Sequence, residues 1–475
     1  MTFEDTLATW LPTQRWYSGS GAALRDLAIT ADTTLATGDP ELRHLIITAS
    51  SGGETARYQV LVGVRSHVPD SLRHAVIGPA GSDGTAYEAL QDPVLTRILL
   101  RGVAEGRSVG QMRFVREPSA IIDTGLDSVP LAGEQSNTSL ILGEWAILKV
   151  LRRLFPGKNP DLEINRALAR RGSTHVAEPF GWIETVCDGR PFLLAILRRY
   201  LPALGDGWSF ATASLRGLYS GDISRTPGRI RPEQAGGDFA AEASRLGAAT
   251  AEVHSDLAAA FGLTTTAPGA LSTLSGQMTG KLNSALTEVP ELCRYADKLR
   301  SYYAELATIR EPMSLQRIHG DYHLGQVLRT ATGWVVLDFE GEPAVPLSQR
   351  QAPDVALRDV AGMLRSLDYA ARHQLLDRPD AERLRGIADE WVERSQAAFC
   401  NGYAEAGGAD PQANTTLLRA LMLDKAVYEV VYEARYRPSW LPIPLHSIAV
   451  SLCRRKPASR PARPSGPIMP RSTGS

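Results

Sequence analysis

The sequence predicts an α+β protein whose strand-rich first part is followed by a mostly helical second part. Up to about residue 200, apolar residues come in short β-branched runs or alternate with polar residues, which is typical of strands. From about residue 203 they recur at helical spacing over long segments. A short strand pair at 326–337 interrupts the helical part and is surrounded by acids and histidines.

These patterns divide the chain into four expected segments. Residues 1–130 form a small sheet with helices, and 131–202 form a second strand-rich segment. Residues 203–454 form the helical part, and 455–475, rich in Arg, Pro, Ser and Gly, form a disordered tail. In the first segment, Trp10, Trp16 and Tyr17 are expected to pack as an aromatic cluster.

Composition excludes several classes of function. Of the 475 residues, 43% are hydrophobic and 22% charged, as in an ordinary globular protein. The net charge of −1 provides no global field for nucleic acid or an anionic membrane, so neither is expected as a partner. The four scattered cysteines indicate neither a zinc site nor a disulfide framework. Without a signal peptide or an apolar run of 18 residues, a cytoplasmic location is expected.

The interrupting strand pair lies within 317–343 and concentrates chemically useful side chains. Asp321 precedes the hairpin, Gln326 begins it and Asp338 ends it, so folding the hairpin brings the three together. A carboxylate and an amide oxygen can hold Mg²⁺ against phosphates, and a second carboxylate can deprotonate a hydroxyl. The constellation therefore suits phosphoryl transfer from a nucleotide. The alternative is an acidic hairpin with solvated charges.

A lysine and a polar loop upstream fit the same chemistry. Lys149 lies in an apolar strand at 146–150, where it needs an anionic partner. The capped helix start at Asn159 offers Glu163 as that partner, with Asp161 as the alternative. The loop before the strands contains small polar residues whose backbone N–H groups can meet phosphates. These residues are Ser136, Asn137 and Thr138.

His-Gly-Asp-Tyr-His at 319–323, with the hairpin and Asp-Phe-Glu at 338–340, resembles the catalytic and metal-binding loops of kinase-like phosphotransferases. The similarity extends to aminoglycoside phosphotransferases and, within that superfamily, to maltokinases. Further matches to maltokinases are Gln-Arg-Trp-Tyr at 14–17 and Leu-Asp-Lys-Ala-Val-Tyr-Glu at 423–429. The resemblance implies a bilobal, eukaryotic-protein-kinase-like fold with an N-terminal α/β cap subdomain, a nucleotide-binding lobe and a mostly helical C-terminal lobe.

The resemblance also implies roles for individual residues, with ATP and Mg²⁺ as cofactors. Asp321 is implied as the catalytic base, and Lys149 as the phosphate-binding lysine. Gln326 and Asp338 are implied as magnesium ligands, with Glu340 as a further carboxylate. The backbone near the junction of the lobes is implied to meet the adenine edge. This backbone belongs to Arg199, Tyr200 and Leu201.

Substrate candidates lie beside the catalytic loop and on the last long helix. His319 and His323 flank Asp321, and the helix carries a polar and aromatic face that could bind a sugar or simply pack. Its members are Tyr428, Glu429, Tyr432, Glu433, Tyr436 and Trp440. The similar families make maltose 1-phosphate or, in actinobacterial glucosamine kinases, glucosamine 6-phosphate.

Departures from the maltokinase pattern keep an amino sugar open as the substrate. Tyr436 stands where maltokinases would have Asn, and Leu367 where they would have Phe. Glu429 and Glu433 could pair with an ammonium group. An aminoglycoside-type antibiotic phosphotransferase and a non-catalytic pseudokinase remain alternatives, and a monomer or weak homodimer is expected.

Two further groups of polar residues each allow two interpretations. His254 could contact the substrate or be a hydrogen-bonded helix histidine. Arg358 and Asp359 resemble a pair that braces the catalytic loop in related kinases, although an acid at a helix start is also stabilised by the helix dipole.

Overall fold

A computed structural model describes residues 2–17, 24–81, 84–131, 136–220, 237–342 and 345–453. The chain forms two compact units. The first contains residues 1–206, 319–321 and 326–352, and the second contains 207–318, 322–325 and 353–475. The tail expected over 455–475 lies outside the described residues.

The first unit opens with a cap made of helix α1 (Phe3–Trp10) and an antiparallel sheet in the order β1-β2-β3-β5-β4. The strands are β1 Leu24–Ala36, β2 Glu41–Ser51, β3 Glu54–Arg65, β4 Val76–Ala80 and β5 Gly84–Glu88. Trp16 lies 5.9 Å from Trp10 and 6.0 Å from Tyr58 between ring centroids, and Tyr17 lies 5.5 Å from Tyr58. The aromatic residues near the start thus form a packed cluster, as expected.

A second antiparallel sheet follows helix α2 (Pro93–Glu105), in the order β6-β7-β12-β13-β10-β9-β8. Its strands are β6 Ser108–Val109, β7 Met112–Arg116, β8 Ser128–Pro130, β9 Asn137–Leu142, β10 Ala146–Leu151, β12 Pro179–Cys187 and β13 Arg190–Arg199. The short strand β11 (Arg153–Leu154) pairs with β3 of the cap sheet. The second sheet therefore begins at Ser108, earlier than the boundary at 130 that the sequence suggested.

Gln59 of β3 ties the cap sheet to the second sheet from a buried position. Its amide nitrogen donates to the backbone oxygens of Leu151 and Leu194, and its amide oxygen bonds the His44 ring nitrogen Nε2 at 2.9 Å. Burial lowers the pKa of His44 to about 4, although the bond to Gln59 favours the protonated ring. The ring is therefore neutral in the folded protein at neutral pH.

His44 makes the stability of the first unit depend on pH. An unfolded chain takes up a proton on His44 near pH 6.5, but the folded chain does so only near pH 4. This contribution is complete above pH 6.5 and is lost as the pH falls towards 4, by about 3 kcal/mol. We expect Tm to fall over this range less steeply in His44→Leu than in the wild type. His67→Leu, at an exposed site, should retain the wild-type slope, and identical slopes for all three proteins would contradict the assignment.

A third, three-stranded sheet in the order β14-β17-β18 contains the predicted hairpin. Its strands are β14 Ala203–Asp206, β17 Val327–Thr330 and β18 Trp334–Val336. Helices α3 (Pro160–Arg170) and α8 (Leu347–Arg350) complete the first unit. Helix α3 begins where expected, because Asn159 Oδ1 accepts from Leu162 N–H at 3.1 Å and Pro160 occupies the first turn.

The second unit is mainly helical, as the sequence predicted. Its helices are α4 Gly207–Ser220, α5 Ala240–Phe261, α6 Ala270–Glu288, α7 Ala296–Glu305, α9 Leu357–His373, α10 Ala381–Glu405, α11 Thr415–Tyr436 and α12 Pro442–Cys453. A strand pair, β15 (Thr264–Thr265) and β16 (Ser314–Leu315), accompanies them. Helices α5 and α10 cross closely at Gly247, where a Cβ atom would lie 2.1 Å from the Phe399 oxygen.

Candidate active site

Lys149 occupies the middle of β10, in a hairpin with β9. The register places Lys149 opposite Ser139 on β9 and opposite Ile196 on β13. Asn137 and Thr138 are the first residues of β9 and pair with Leu151 and Val150, so they lie on the strand pair that carries the lysine. The Lys149 side chain is 10% exposed, so its ammonium group requires nearby anions.

Three carboxylates surround the Lys149 ammonium. Its Nζ lies 2.7 Å from Asp338 Oδ1, 3.0 Å from Glu340 Oε1 and 3.7 Å from Asp161 Oδ2. Burial opposes the charge, but Glu340, Asp338 and Asp161 together raise the pKa of Lys149 above its ordinary value. The structure thus brings together the lysine and the Asp-Phe-Glu acids that the sequence analysis had associated.

Asp161, in the first turn of α3, is fully buried and links this helix to the Asp-Phe-Glu segment. Its Oδ1 accepts from Phe339 N–H at 3.0 Å and from Asn165 Nδ2 at 2.7 Å, and its Oδ2 accepts from Arg198 at 2.7 Å. Burial opposes ionisation, yet Arg198 and Lys149 lower the pKa of Asp161 to about 2. The α3 carboxylate beside Lys149 is therefore that of Asp161, the alternative to Glu163 in the sequence analysis.

Asp338 follows the hairpin in a left-handed backbone conformation, with φ of 58°. The residue before it, Leu337, donates its N–H to Gln326 O at 2.8 Å, which continues the ladder in which Val327 faces Val336. The hairpin therefore brings the backbone of Gln326 next to the residue that precedes Asp338, as its turn chemistry predicted. A non-glycine residue with positive φ costs conformational energy and is common at functional sites.

His319 connects the catalytic loop to the Asp-Phe-Glu segment rather than serving as an open ligand. Its Nε2 bonds the Leu337 oxygen at 2.8 Å, its Nδ1 accepts from Asp321 N–H at 3.3 Å, and its ring lies 4.9 Å from that of Phe339. These bonds require the tautomer protonated on Nε2. The buried ring thereby orients the backbone of Asp321, and this contact set differs from the substrate contact expected for His319.

The acidic cluster offers the oxygen donors that a hard divalent cation requires. Oxygens of Asp161, Asp338 and Glu340 lie within 4.8 Å of one another. Asp161 already has hydrogen-bond donors on both oxygens, whereas Asp338 and Glu340 are 35% and 24% exposed. Burial raises the pKa of Glu340, which Lys149 counteracts and Asp338 reinforces. Asp338 and Glu340 are therefore the better candidates for metal ligands among the three.

Of the three residues expected in a phosphate-binding loop, only Ser136 precedes β9, while Asn137 and Thr138 belong to the strand because they pair with β10. Asn137 Nδ2 donates to the Ser136 hydroxyl at 3.4 Å, and the Thr138 hydroxyl accepts from Arg152 Nε at 2.8 Å. Arg152 is buried, lies 4.8 Å from the Trp16 ring centroid and forms an ion pair with Glu88 at 3.2 Å. The cap and the start of β9 are thereby connected through one guanidinium group.

The segment expected to meet the adenine edge is already hydrogen-bonded in part. Arg199 N–H donates to Glu178 O at 2.8 Å, and Tyr200 N–H donates to Trp145 O at 2.9 Å. An adenine contact from this segment would therefore use its carbonyl oxygens or the N–H group of Leu201. The exposed Arg199 side chain forms an ion pair with Glu178.

In the second unit, the candidate sugar face of α11 separates into two stripes. Tyr428, Tyr432 and Tyr436 are exposed and follow one another at 6.2 Å and 4.9 Å between ring centroids. Glu429 and Glu433, one position further along, are directed towards α9. The i, i+4 spacing separates the rings from the acids, so they do not form the single mixed face that was expected.

The two glutamates differ in their partners. Glu429 forms an ion pair with the buried Arg365. The Oε1 atom of Glu433 accepts from the Tyr369 hydroxyl at 2.5 Å and from Arg437 Nη2 at 2.8 Å. Glu433 Oε2 is buried and has no hydrogen-bond partner among the described residues. Glu433 is therefore the more available hydrogen-bond acceptor of the two.

Trp440 belongs to an aromatic group on α9 and the segment after α11. Its ring lies 4.5 Å from that of His373 and 6.0 Å from that of Tyr369, and the Arg437 guanidinium lies 4.2 Å from its centroid. Leu367, by contrast, is fully buried on α9. The departure from the maltokinase pattern at Leu367 therefore lies in the core of the second unit.

The remaining polar candidates make bonds within the second unit. His323 Nδ1 accepts from Gly325 N–H at 3.0 Å. Buried His254 bonds the Tyr403 hydroxyl at 2.9 Å and Asp359 at 3.1 Å, which identifies it as a hydrogen-bonded helix histidine. Asp359 thus supports α5 through His254, while Arg358 pairs with Asp354.

Comparisons with known proteins agree with this arrangement. A family model described as the maltokinase N-terminal cap domain matches residues 10–92. A glucosamine kinase of Streptacidiphilus jiangxiensis is 31% identical over 363 residues, covering 72% of this chain and 79% of that protein. A glucosamine kinase of Mycolicibacterium smegmatis is 29% identical over 328 residues, covering 66% and 77%. The chain belongs to the maltokinase and glucosamine kinase family.

A solved structure extends the family likeness to nearly the whole chain. A glucosamine kinase in complex with glucosamine, ADP and inorganic phosphate has a TM-score of 0.65 and 25% identity, covering 95% of this chain and 99% of that one. Membership of the maltokinase and glucosamine kinase family confirms the expected kinase-like fold with its N-terminal cap. It also confirms the enzyme class, an ATP-dependent sugar kinase.

The sequence analysis missed three buried arginines of this family member. Arg198 bonds Asp161, Arg152 bonds Thr138, and Arg365 pairs with Glu429. Each stands in a segment that also carries a predicted site residue or an apolar run. A usable signal was present, because a charged side chain at an inward position of an apolar strand or helix requires a partner.

Proposed function

We propose that the chain transfers the γ-phosphoryl group of ATP to glucosamine, giving glucosamine 6-phosphate. The observation that carries the proposal is the likeness to glucosamine kinases over most of the chain, together with the Lys149 and Asp338 cluster. The family model of the maltokinase cap matches residues 10–92 and makes maltose the second candidate. An aminoglycoside is the remaining candidate acceptor.

Lys149 is proposed to bind the nucleotide phosphates, assisted by backbone N–H groups of 136–138. Lys149 would exchange its contacts with Asp338 and Glu340 for phosphate oxygens, while Asp161 keeps it on the correct side of the strand. Asp338, Glu340 and the amide oxygen of Gln326 are proposed to hold Mg²⁺. When bound, the ion would supply positive charge beside the transferred phosphoryl group.

Asp321 is proposed to orient and deprotonate the acceptor hydroxyl. Its backbone is held through His319, which also bonds the residue before Asp338, so the loop is fixed relative to the metal ligands. Phosphoryl transfer passes through a loose transition state, and most of the catalysis comes from positioning and charge stabilisation. A fixed loop supports that role for Asp321.

Glu433 is proposed to receive the ammonium group of glucosamine. Its Oε1 pairs with Arg437, but its buried Oε2 has no partner among the described residues, whereas Glu429 pairs with the buried Arg365. An ammonium group would fill that acceptor position and relieve an unpaired buried group, which is costly to leave unmatched. Trp440, beside Glu433's partner Arg437, is proposed to pack on the sugar ring.

An ATP-consumption assay across four acceptors tests the proposal. The acceptors are glucosamine, glucose, maltose and an aminoglycoside, and phosphorus NMR identifies the hydroxyl that is modified. We expect turnover with glucosamine to exceed that with the other three and the product to be glucosamine 6-phosphate. A higher rate with maltose than with glucosamine would identify maltose as the substrate instead. ATP binding without turnover on any acceptor would contradict the kinase proposal.

Glu433→Gln tests the amino-group contact separately from catalysis. We expect kcat/KM for glucosamine to fall by about tenfold to a hundredfold, because a neutral amide no longer balances the ammonium charge. Glucose lacks the amino group and serves as the internal control, so its lower kcat/KM should change little. An equal loss for both sugars, measured in the same assay, would contradict a role for Glu433 in amino-group recognition.

We propose a cytoplasmic monomer or weak homodimer. The four cysteines are free thiols, as in proteins of reducing compartments, and ATP is available there. Among the described ranges, no helix is both long and apolar enough to cross a membrane. Cell fractionation and sedimentation at several concentrations test the two statements.

A further inference from the structure

A buried arginine next to the candidate active site has no role in the proposed mechanism so far. Arg198 is at the end of β13, where it faces Ile147 of β10 and is 7% exposed. Ile147 is two positions before Lys149, so Arg198 and Lys149 project from the same face of the sheet. A guanidinium at this depth requires an anion, and Arg198 Nη2 donates to Asp161 Oδ2 at 2.7 Å.

Asp161 is the centre of a small buried network. Its Oδ1 accepts from the backbone N–H of Phe339, between Asp338 and Glu340, and from the Asn165 amide. Its Oδ2 has two cations nearby, Arg198 at 2.7 Å and Lys149 at 3.7 Å. The Asp161 carboxylate therefore connects α3, the lysine strand and the Asp-Phe-Glu segment at a single point.

The two cations near Asp161 have different freedom. Lys149 is the one proposed to move to the nucleotide, and its present contacts with Asp338 and Glu340 are shorter than its contact with Asp161. Arg198 contacts Asp161 directly and is anchored in the strand pairing at both Ile147 and Pro179. When Lys149 engages phosphates, the buried Asp161 charge still requires a close cation, and Arg198 is the one in place.

We propose that Arg198 is a positioning residue that keeps Asp161 fixed and charge-balanced, so that Lys149 is free to bind the nucleotide. The proposal rests on the proposed function for the roles of Lys149 and Asp338. Without Arg198, the closest counter-ion for the buried Asp161 would be Lys149, which would be drawn from the phosphates towards α3. Phe339 N–H, and with it the setting of Asp338, would lose a rigid acceptor.

Loss of Arg198 should therefore weaken nucleotide binding more than it weakens sugar binding. In Arg198→Met we expect Mg-ADP affinity, and kcat/KM for Mg-ATP, to fall by about tenfold to a hundredfold. Losses of this size are typical when a residue that orients a directly binding group is replaced. The KM for glucosamine should stay near the wild-type value. Arg198→Lys keeps the charge without the forked donor and should regain part of the loss. Arg190→Met, an exposed position on the same strand, serves as the matched control.

The measurements are Mg-ADP calorimetry and initial rates with each substrate varied, on proteins whose folding is checked by Tm. A folded Arg198→Met protein with wild-type Mg-ADP affinity would overturn the proposal, as would equal changes in both KM values. If Arg198→Met does not fold, the same measurements are made on Arg198→Lys. Wild-type Mg-ADP affinity in Arg198→Lys would then overturn the proposal. Calorimetry needs no sugar, so failure of glucosamine as the acceptor would not affect this test.

Discussion

Replacement of Asp321 by Asn is expected to lower kcat for sugar phosphorylation by about a thousandfold, within the range for loss of a general base. Asn keeps the size of the side chain but cannot accept the hydroxyl proton. The loop should remain in place, because the Asp321 N–H donates to His319 Nδ1 and this backbone bond does not depend on the charge of the side chain. We therefore expect the chemical step to be lost while nucleotide binding persists.

Initial rates and Mg-ADP calorimetry on Asp321→Asn separate these two effects. The KM for Mg-ATP and the Mg-ADP affinity should stay close to wild type. Asp297→Asn, at a fully exposed position, is the control and should have wild-type kcat. An Asp321→Asn enzyme with substantial turnover would show that another group takes the proton.

Replacement of Asp338 by Asn is expected to lower kcat/KM for Mg-ATP by about a thousandfold, which corresponds to about 4 kcal/mol of lost transition-state stabilisation. Asn retains one oxygen donor but removes the negative charge that attracts a divalent ion. It also removes the shortest ion pair of Lys149, at 2.7 Å. The Mg²⁺ concentration needed for half-maximal rate should rise together with the loss of rate.

A magnesium titration of the rate at fixed ATP tests the Asp338 prediction. Asp377→Asn is a matched control, because Asp377 has a similar left-handed backbone, with φ of 60°, and undergoes the same chemical change. That variant should have wild-type rates and metal dependence. Unchanged magnesium dependence in Asp338→Asn would contradict its assignment as a metal ligand.

Much of the first unit could be predicted from local patterns. The hairpin at 326–337, the lysine strand and the start of α3 each carry a strong short-range signal: turn residues, alternation or a cap. The choice between Asp161 and Glu163 could not be made in this way. Both lie in the first turn of α3, and which of them faces Lys149 depends on the direction in which the helix meets the sheet.

The rest of the site could not be predicted from the sequence, because it depends on how segments far apart in the chain pack against one another. On α11, the tyrosines at 428, 432 and 436 and the glutamates at 429 and 433 follow parallel i, i+4 stripes one residue apart. Their sequence spacing does not say which stripe meets α9, and packing directs the glutamates inward. The burial of Leu367 also could not be predicted from sequence spacing, because it depends on which stripe of α9 faces the core. Arg198 required knowledge of which strands lie beside β10.

The ion pairs of Lys149 connect the proposed binding of nucleotide to the proposed binding of metal. Lys149 can release Asp338 and Glu340 without a buried, uncompensated charge only when another anion is present to receive it. A triphosphate provides that anion, whereas a bare cation competes with the ammonium for the same two carboxylates. Under the proposed mechanism we therefore expect nucleotide and metal binding to show positive cooperativity, since each would increase the affinity for the other through the release of one lysine.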